Sequence, residues 1–128
     1  MKKIISLVLL LCIACACLVS CGTSAEDFIE NLGAGYESEK LDAEGIAELE
    51  EAFEIKAEDY SIVEITAAGN DDNEIYIIEC GSEDDAANLR AQMADYVAKY
   101  SKYGVTDALD GEFYIIGNKE AVDAAIGK

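Results

Sequence analysis

Cysteine offers the most reactive side chain in this sequence, and four of the five crowd together as Cys12, Cys15, Cys17 and Cys21. Sulfur at that density suggests a metal cage or a disulfide framework. The Cys15-Ala16-Cys17 spacing is not a zinc spacing. Its flanks are apolar, and the chain has no histidine to complete a ligand set. The fifth cysteine, Cys80, ends an apolar stretch just before Ser82-Glu83-Asp84-Asp85. A helix N-terminus there would lower a thiol pKa, but its three acids oppose a thiolate. Without histidine neither a Cys–His dyad nor a Ser-His-Asp triad can form. Cys80 is therefore expected to be a small buried hydrophobe. Asp71-Asp72-Asn73-Glu74 offers oxygen ligands, but not the spacing of a calcium loop, because Ile75 and Tyr76 fill the next places. A solvated hairpin turn is expected, with no metal and no cofactor. Carboxylates are numerous, yet no pair stands out for glycan hydrolysis. What remains is tyrosine. Tyr96, Tyr100 and Tyr103 follow helical spacing, and Tyr76 and Tyr114 fall in β-rich runs. These five form a candidate interaction surface, set against the commoner role of tyrosine at a core margin, ring inside and hydroxyl in water. No catalytic residue is expected, and the chain reads as a non-enzyme.

The cysteine-rich stretch belongs to a different kind of segment. Lys2 and Lys3 open the chain, and Ile4 to Val19 is apolar apart from Ser6. A short basic region followed by an apolar one is the layout of a secretory signal. The run falls short of the roughly 20 residues a spanning helix requires. It closes on Leu18-Val19-Ser20-Cys21, which resembles the lipobox of bacterial lipoproteins. That resemblance implies a diacylglyceryl group on the Cys21 thiol and removal of the preceding peptide. Two acyl chains give stable membrane attachment where one does not. The expected organisation is a signal peptide over 1–20, a lipidated cysteine and short tether over 21–24, and one domain over 25–128. Cys12, Cys15 and Cys17 then leave with the leader. Cys80 has no disulfide partner in the mature chain, so the domain must stand on its core alone.

All 27 acidic residues follow Cys21, against seven basic ones, an excess of 20 negative charges. Such a surface repels nucleic acid and anionic headgroups. Nucleic acid is excluded as a partner, and the surface reads first as a well-solvated one.

The elements that must position the tyrosines come next. Ser24-Ala25-Glu26-Asp27 reads as a helix start, and Phe28, Ile29 and Leu32 share a face up to Gly33. A second helix begins at Asp42, with Ile46, Leu49 and Phe53 at helical spacing. Ser61–Ala67 and Glu74–Cys80 read as two strands of a hairpin around Gly69–Asn73. Ser82 caps a long helix striped by Ala86, Leu89, Met93, Tyr96, Val97 and Tyr100, with Gly104 at its end. After an Asp-containing loop, Phe113–Ile116 forms a third strand, and Asn118 caps a last helix. The expected order is α-α-β-β-α-β-α. The expected fold is an α+β two-layer sandwich: a three-stranded, mostly antiparallel sheet with helices mainly on one face. The long helix reads as a right-handed crossover between parallel second and third strands, with the first strand between them.

The lipobox, the strand Tyr60–Ile65, the run Glu74–Ile78 leading into an Ala-rich helix with Arg90 and Gln92, and the closing Gly111–Ile116 together resemble one family. It is the lipoprotein family filed as domain of unknown function 4358, and the resemblance covers about Ala25 to Ile126. The chain departs from it by having no proline and an abbreviated Val105–Asp110 loop. The resemblance implies an extracytoplasmic domain anchored by lipid to the outer face of a bacterial cell membrane. It carries over no functional residue except Cys21. The expected role is a small binding or interaction module that meets an envelope protein, peptide or small ligand. The alternatives are a cell-envelope enzyme acting through carboxylates and a structural envelope component.

Overall fold

The structure, a computed structural model, describes residues 24–128. The leader and the lipobox with Cys21 lie outside the described residues. Within them, four helices and five strands follow in the order α1 (Ala25–Leu32), β1 (Glu37–Lys40), α2 (Ala43–Phe53), β2 (Glu64–Gly69), β3 (Glu74–Glu79), α3 (Glu83–Tyr100), β4 (Val105–Asp110), β5 (Phe113–Asn118) and α4 (Lys119–Ala125). Short 3-10 turns lie at Ala57–Tyr60 and Ser101–Tyr103.

Local chemistry sets several of the helix starts. Asp27 Oδ2 accepts from the Ser24 N–H at 2.9 Å, Asp42 Oδ1 from Gly45 N–H at 2.8 Å, and Ser82 Oγ from Asp85 N–H at 3.1 Å. Each satisfies a backbone donor that no helical carbonyl reaches. Asn118 does something else. Its Oδ1 accepts from the Glu74 N–H at 2.6 Å, tying the start of α4 to the start of β3.

The five strands form one antiparallel sheet in the order β1-β2-β3-β5-β4. This overturns the three-stranded sheet and its strand order. Two edge strands were missed for a shared physical reason. β1 is Glu-Ser-Glu-Lys and exposed throughout, without a β-former in it. β4 is Val-Thr-Asp-Ala-Leu-Asp, read as a loop from its polar content. Edge strands carry charge because it blunts pairing with other chains, so their sequences look least like strands. The missed β4 also explains the crossover. β3 and β4 both pair antiparallel with β5, so the strands flanking α3 in sequence are parallel. Asp110-Gly111-Glu112 then turns the chain back, and β5 slots between them, antiparallel to β3.

Helices pack on both faces, not mainly on one, so the two-layer expectation is also corrected. Alternation along the central strands divides the core. Ile75 and Ile77 of β3 and Phe113 and Ile115 of β5 point toward α1 and α4. Ile78 of β3 and Tyr114 and Ile116 of β5 point toward α2 and α3. The uninterrupted apolar runs Ile75–Ile78 and Phe113–Ile116 are the sequence mark of strands covered on both sides. The middle of the sheet is tight. At Gly117 an added Cβ would meet the Glu74 carbonyl oxygen and lie 2.7 Å from Ile75 Cα, so only glycine lets β3 and β5 approach there.

Candidate functional site

The α2/α3 face holds the candidate tyrosines, but not all in one setting. Tyr114 belongs to β5 and turns inward beneath α3, where it is fully buried. Its hydroxyl donates to Asp107 Oδ2 at 2.9 Å, and Asp107 Oδ1 lies 3.4 Å from Arg90 Nη2. Burial first, then the Asp107 charge and hydrogen bond, push the phenol far above its usual pKa, and Arg90 opposes them. Tyr114 is thus no part of an interaction surface. Strand alternation puts it in the core, and its hydroxyl is satisfied there by Asp107 of β4, which Arg90 of α3 pairs with in turn. This clamp of Arg90, Asp107 and Tyr114 was invisible to sequence reading because Asp107 seemed to lie in a loop.

The other four tyrosines do come together. Phe53, at the end of α2, sits edge-on to Tyr76 at 5.8 Å and to Tyr96 at 5.0 Å between ring centroids. Tyr96 then meets Tyr100 at 4.6 Å, and Tyr100 meets Tyr103 at 6.3 Å. The result is a continuous aromatic row that begins in the core and ends in solvent. Burial, then Glu74, raises the Tyr76 pKa; burial, then Tyr100 and Tyr76, raises that of Tyr96. At the outer end Tyr103 is 68 % exposed. Lys99 Nζ stands 5.4 Å from the Tyr100 ring centre and Lys102 Nζ 5.2 Å from that of Tyr103. Such contacts are weak when exposed, but they hold cation and ring side by side.

Beside the inner end of the row lies an open groove of about 650 Å³. Alternation and register place Ala67 and Tyr76 on one sheet face, opposite Glu39 and beside Glu37 and Gly69. The groove is rimmed by Glu37, Glu39, Asp71 and Glu74, and its lining contains no basic residue. Sequence reading found Tyr76 but missed Glu37 and Glu39, because β1 carries no strand signal. Leu41 N–H donates to Ile65 O, which fixes the pairing phase. The backbone groups of Ser38 and Lys40 therefore face away from β2, toward the open edge.

No family model, no curated protein and no solved structure matches the chain.

Cys80 is buried against the α2/α3 core, and its thiol is pushed up to about 11, by burial first and then by Asp85, Glu112 and Glu79. A thiol so disposed stays protonated at neutral pH and is poorly placed to attack a substrate. Glu79 is raised by burial and then by Glu112 and Glu64, with Lys40 opposing. These carboxylates lie at the far end of β2 and β3 and line no part of the groove. The Asn70–Asn73 turn is closed on its own backbone, with Asn70 Oδ1 accepting from the Asp72 and Asn73 N–H groups at 2.9 and 2.8 Å. Among the described residues no three His, Cys, Asp or Glu side chains are grouped to hold a metal ion. No described helix is long and apolar enough to cross a membrane.

Proposed function

We propose that the protein is a lipid-anchored extracytoplasmic binding module whose ligand face is the groove beside Tyr76. The anchor rests on Leu18-Val19-Ser20-Cys21 behind a basic and apolar leader, and on the likeness to the domain of unknown function 4358 lipoproteins. The single observation that carries the binding role is the groove itself: open, floored by small sheet residues, walled on one side by Tyr76 and rimmed by four carboxylates. Acidic walls without a basic residue favour a cationic ligand, such as a basic peptide or a basic segment of an envelope protein. The chain has no histidine to act as a base, and Glu79, whose pKa is raised by burial, lies outside the groove, which favours binding over turnover.

Two experiments test the reading. Replacement of Cys21 by alanine should block lipid labelling and leave unprocessed precursor; normal maturation of Cys21→Ala refutes the anchor. Lysine-rich peptides should bind the domain and weaken several-fold with Glu37→Gln/Glu39→Gln. Peptide binding indifferent to that pair, or turnover in a broad hydrolase screen, contradicts the groove's role.

A further inference from the structure

The outer end of the aromatic row differs from the rest of this acidic surface. Two of the seven basic residues after Cys21, Lys99 and Lys102, stand within one turn, beside the half-buried Tyr100 and the exposed Tyr103. Lys40, Arg90 and Lys119 are paired with Glu64, Asp107 and Asp123. Lys99 and Lys102 have no carboxylate within ion-pair distance among the described residues. Lys56 and Lys128 are likewise unpaired among the described residues, but each stands alone in sequence, whereas Lys99 and Lys102 each stand beside a tyrosine ring and form a small basic, aromatic patch on a strongly acidic chain.

Its chemistry matches one kind of surface. Tyrosine and lysine are both amphipathic: ring or methylene stem prefers the apolar side, hydroxyl or ammonium the wet side. That combination settles at the headgroup level of a bilayer, where tyrosines are enriched and lysines meet anionic phosphates. The membrane is also close. Only Gly22 and Thr23 separate Cys21 from the Ser24 that opens α1, a reach of about 10 Å from anchor to domain. A tether that short keeps the domain within about one Debye length of the headgroups, so even a weak contact is made at high effective concentration. Faces rich in Asp and Glu are repelled from anionic headgroups at that distance, and the patch is not.

We propose that the last turn of α3 and the 3-10 turn after it, with Lys99, Tyr100, Lys102 and Tyr103, rest on the anionic membrane surface and set the orientation of the anchored domain. The contact rests on the lipid-anchor reading. It gives the row a direction: its outer end is held at the membrane, and its inner end, at Phe53 and Tyr76, borders the groove.

The chain contains no tryptophan, which makes a single indole a clean reporter. Tyr103→Trp keeps an aromatic ring in the patch. Val63→Trp is the control. Val63 is exposed, and its N–H donates to Glu79 O, beside the start of β5; Gly104 O accepts from Lys119 N–H at the other end of that strand. The protein is purified with its membranes, its intact mass recorded, and reconstituted in phosphatidylglycerol-containing vesicles with brominated acyl chains. The indole of Tyr103→Trp should be quenched several-fold more than that of Val63→Trp. The excess should vanish in high salt and in Lys99→Glu/Lys102→Glu, whose exposed side chains leave the domain folded. Equal quenching of the two reporters in a lipidated protein overturns the contact alone, as does an excess that survives the charge reversal. A mass without lipid on Cys21 overturns the anchor reading and the contact with it.

Discussion

The two faces of the sheet are built from the same strands and differ in nearly everything else. Toward α1 and α4 the core is almost wholly apolar, with Phe28 edge-on to Phe113 at 5.2 Å and Ile75, Ile77 and Ile115 beneath them. Toward α2 and α3 lie the thiol of Cys80, the clamp of Arg90, Asp107 and Tyr114, the aromatic row and the groove. Neighbouring residues on one strand serve opposite purposes: Ile77 fills the closed face and Tyr76 walls the groove. One face holds the fold, and the other combines holding with polar and aromatic groups that reach the surface. A change in the first should alter stability alone. A change in the second should alter stability, pH response or contact with other molecules.

The largest effect should come where the two faces share backbone. Gly117→Ala sets a methyl group against Glu74 and Ile75, and separates β3 from β5 beneath both layers. A loss of about 3 kcal/mol or more is expected, measured by urea unfolding, with both cores loosened. A near-neutral Gly117→Ala would show that the strands do not approach as closely as described.

Ile77→Ala opens a cavity in the closed face only and should cost about 3 kcal/mol. Where the domain stays folded, the groove and the vesicle contact should be unchanged, and a parallel loss of peptide affinity would break the contrast between the faces.

The alkaline pH response should belong to the other face. The Cys80 thiol is raised from 9.0 to about 11 in the folded chain, so the unfolded chain loses this proton first. Its contribution is complete below about pH 9 and is lost as the pH rises toward 11. The raised phenols of Tyr76, Tyr96 and Tyr114 act with the same sign from their ordinary value of 10.0 upward. Unfolding across alkaline pH should show falling stability, and Cys80→Ala should flatten its first part. An unchanged slope in Cys80→Ala would place the titration elsewhere.

The smallest effect is the sharpest probe of the clamp. Tyr114→Phe removes one buried donor from Asp107, which keeps Arg90, and should cost about 1 kcal/mol. A double-mutant cycle with Asp107→Asn should show coupling between the two positions, and simple additivity would mean that the hydrogen bond contributes little.

The central strands, the long helix and its Ser82 cap were legible because burial on both sides forces unbroken apolar runs and a strict helical stripe. β1 and β4 were not, because edge strands are specified by pairing with β2 and β5 rather than by their own side chains. That one gap displaced the rest. Without β4, sequence patterning shows no chain reversal at Gly111, gives β5 the wrong direction and keeps Asp107 in a loop. Tyr96, Tyr100 and Tyr103 are visible from helical spacing, whereas Tyr76 joins them only through Phe53, and the groove needs Glu37 and Glu39 on a strand with no sequence signature.

The division between a holding face and a working face meets its most direct test in hydrogen exchange. The full chain in membranes of the cells that make it is compared with the same protein purified in detergent. If the proposed anchor and groove are right, extra protection in membranes should fall on Tyr100–Tyr103, at and just after the end of α3, and on the groove strands near Glu37–Glu39 and Tyr76. The peptides of α1 and α4 should exchange alike in both. Protection confined to α1 and α4, or no difference anywhere, would contradict the account.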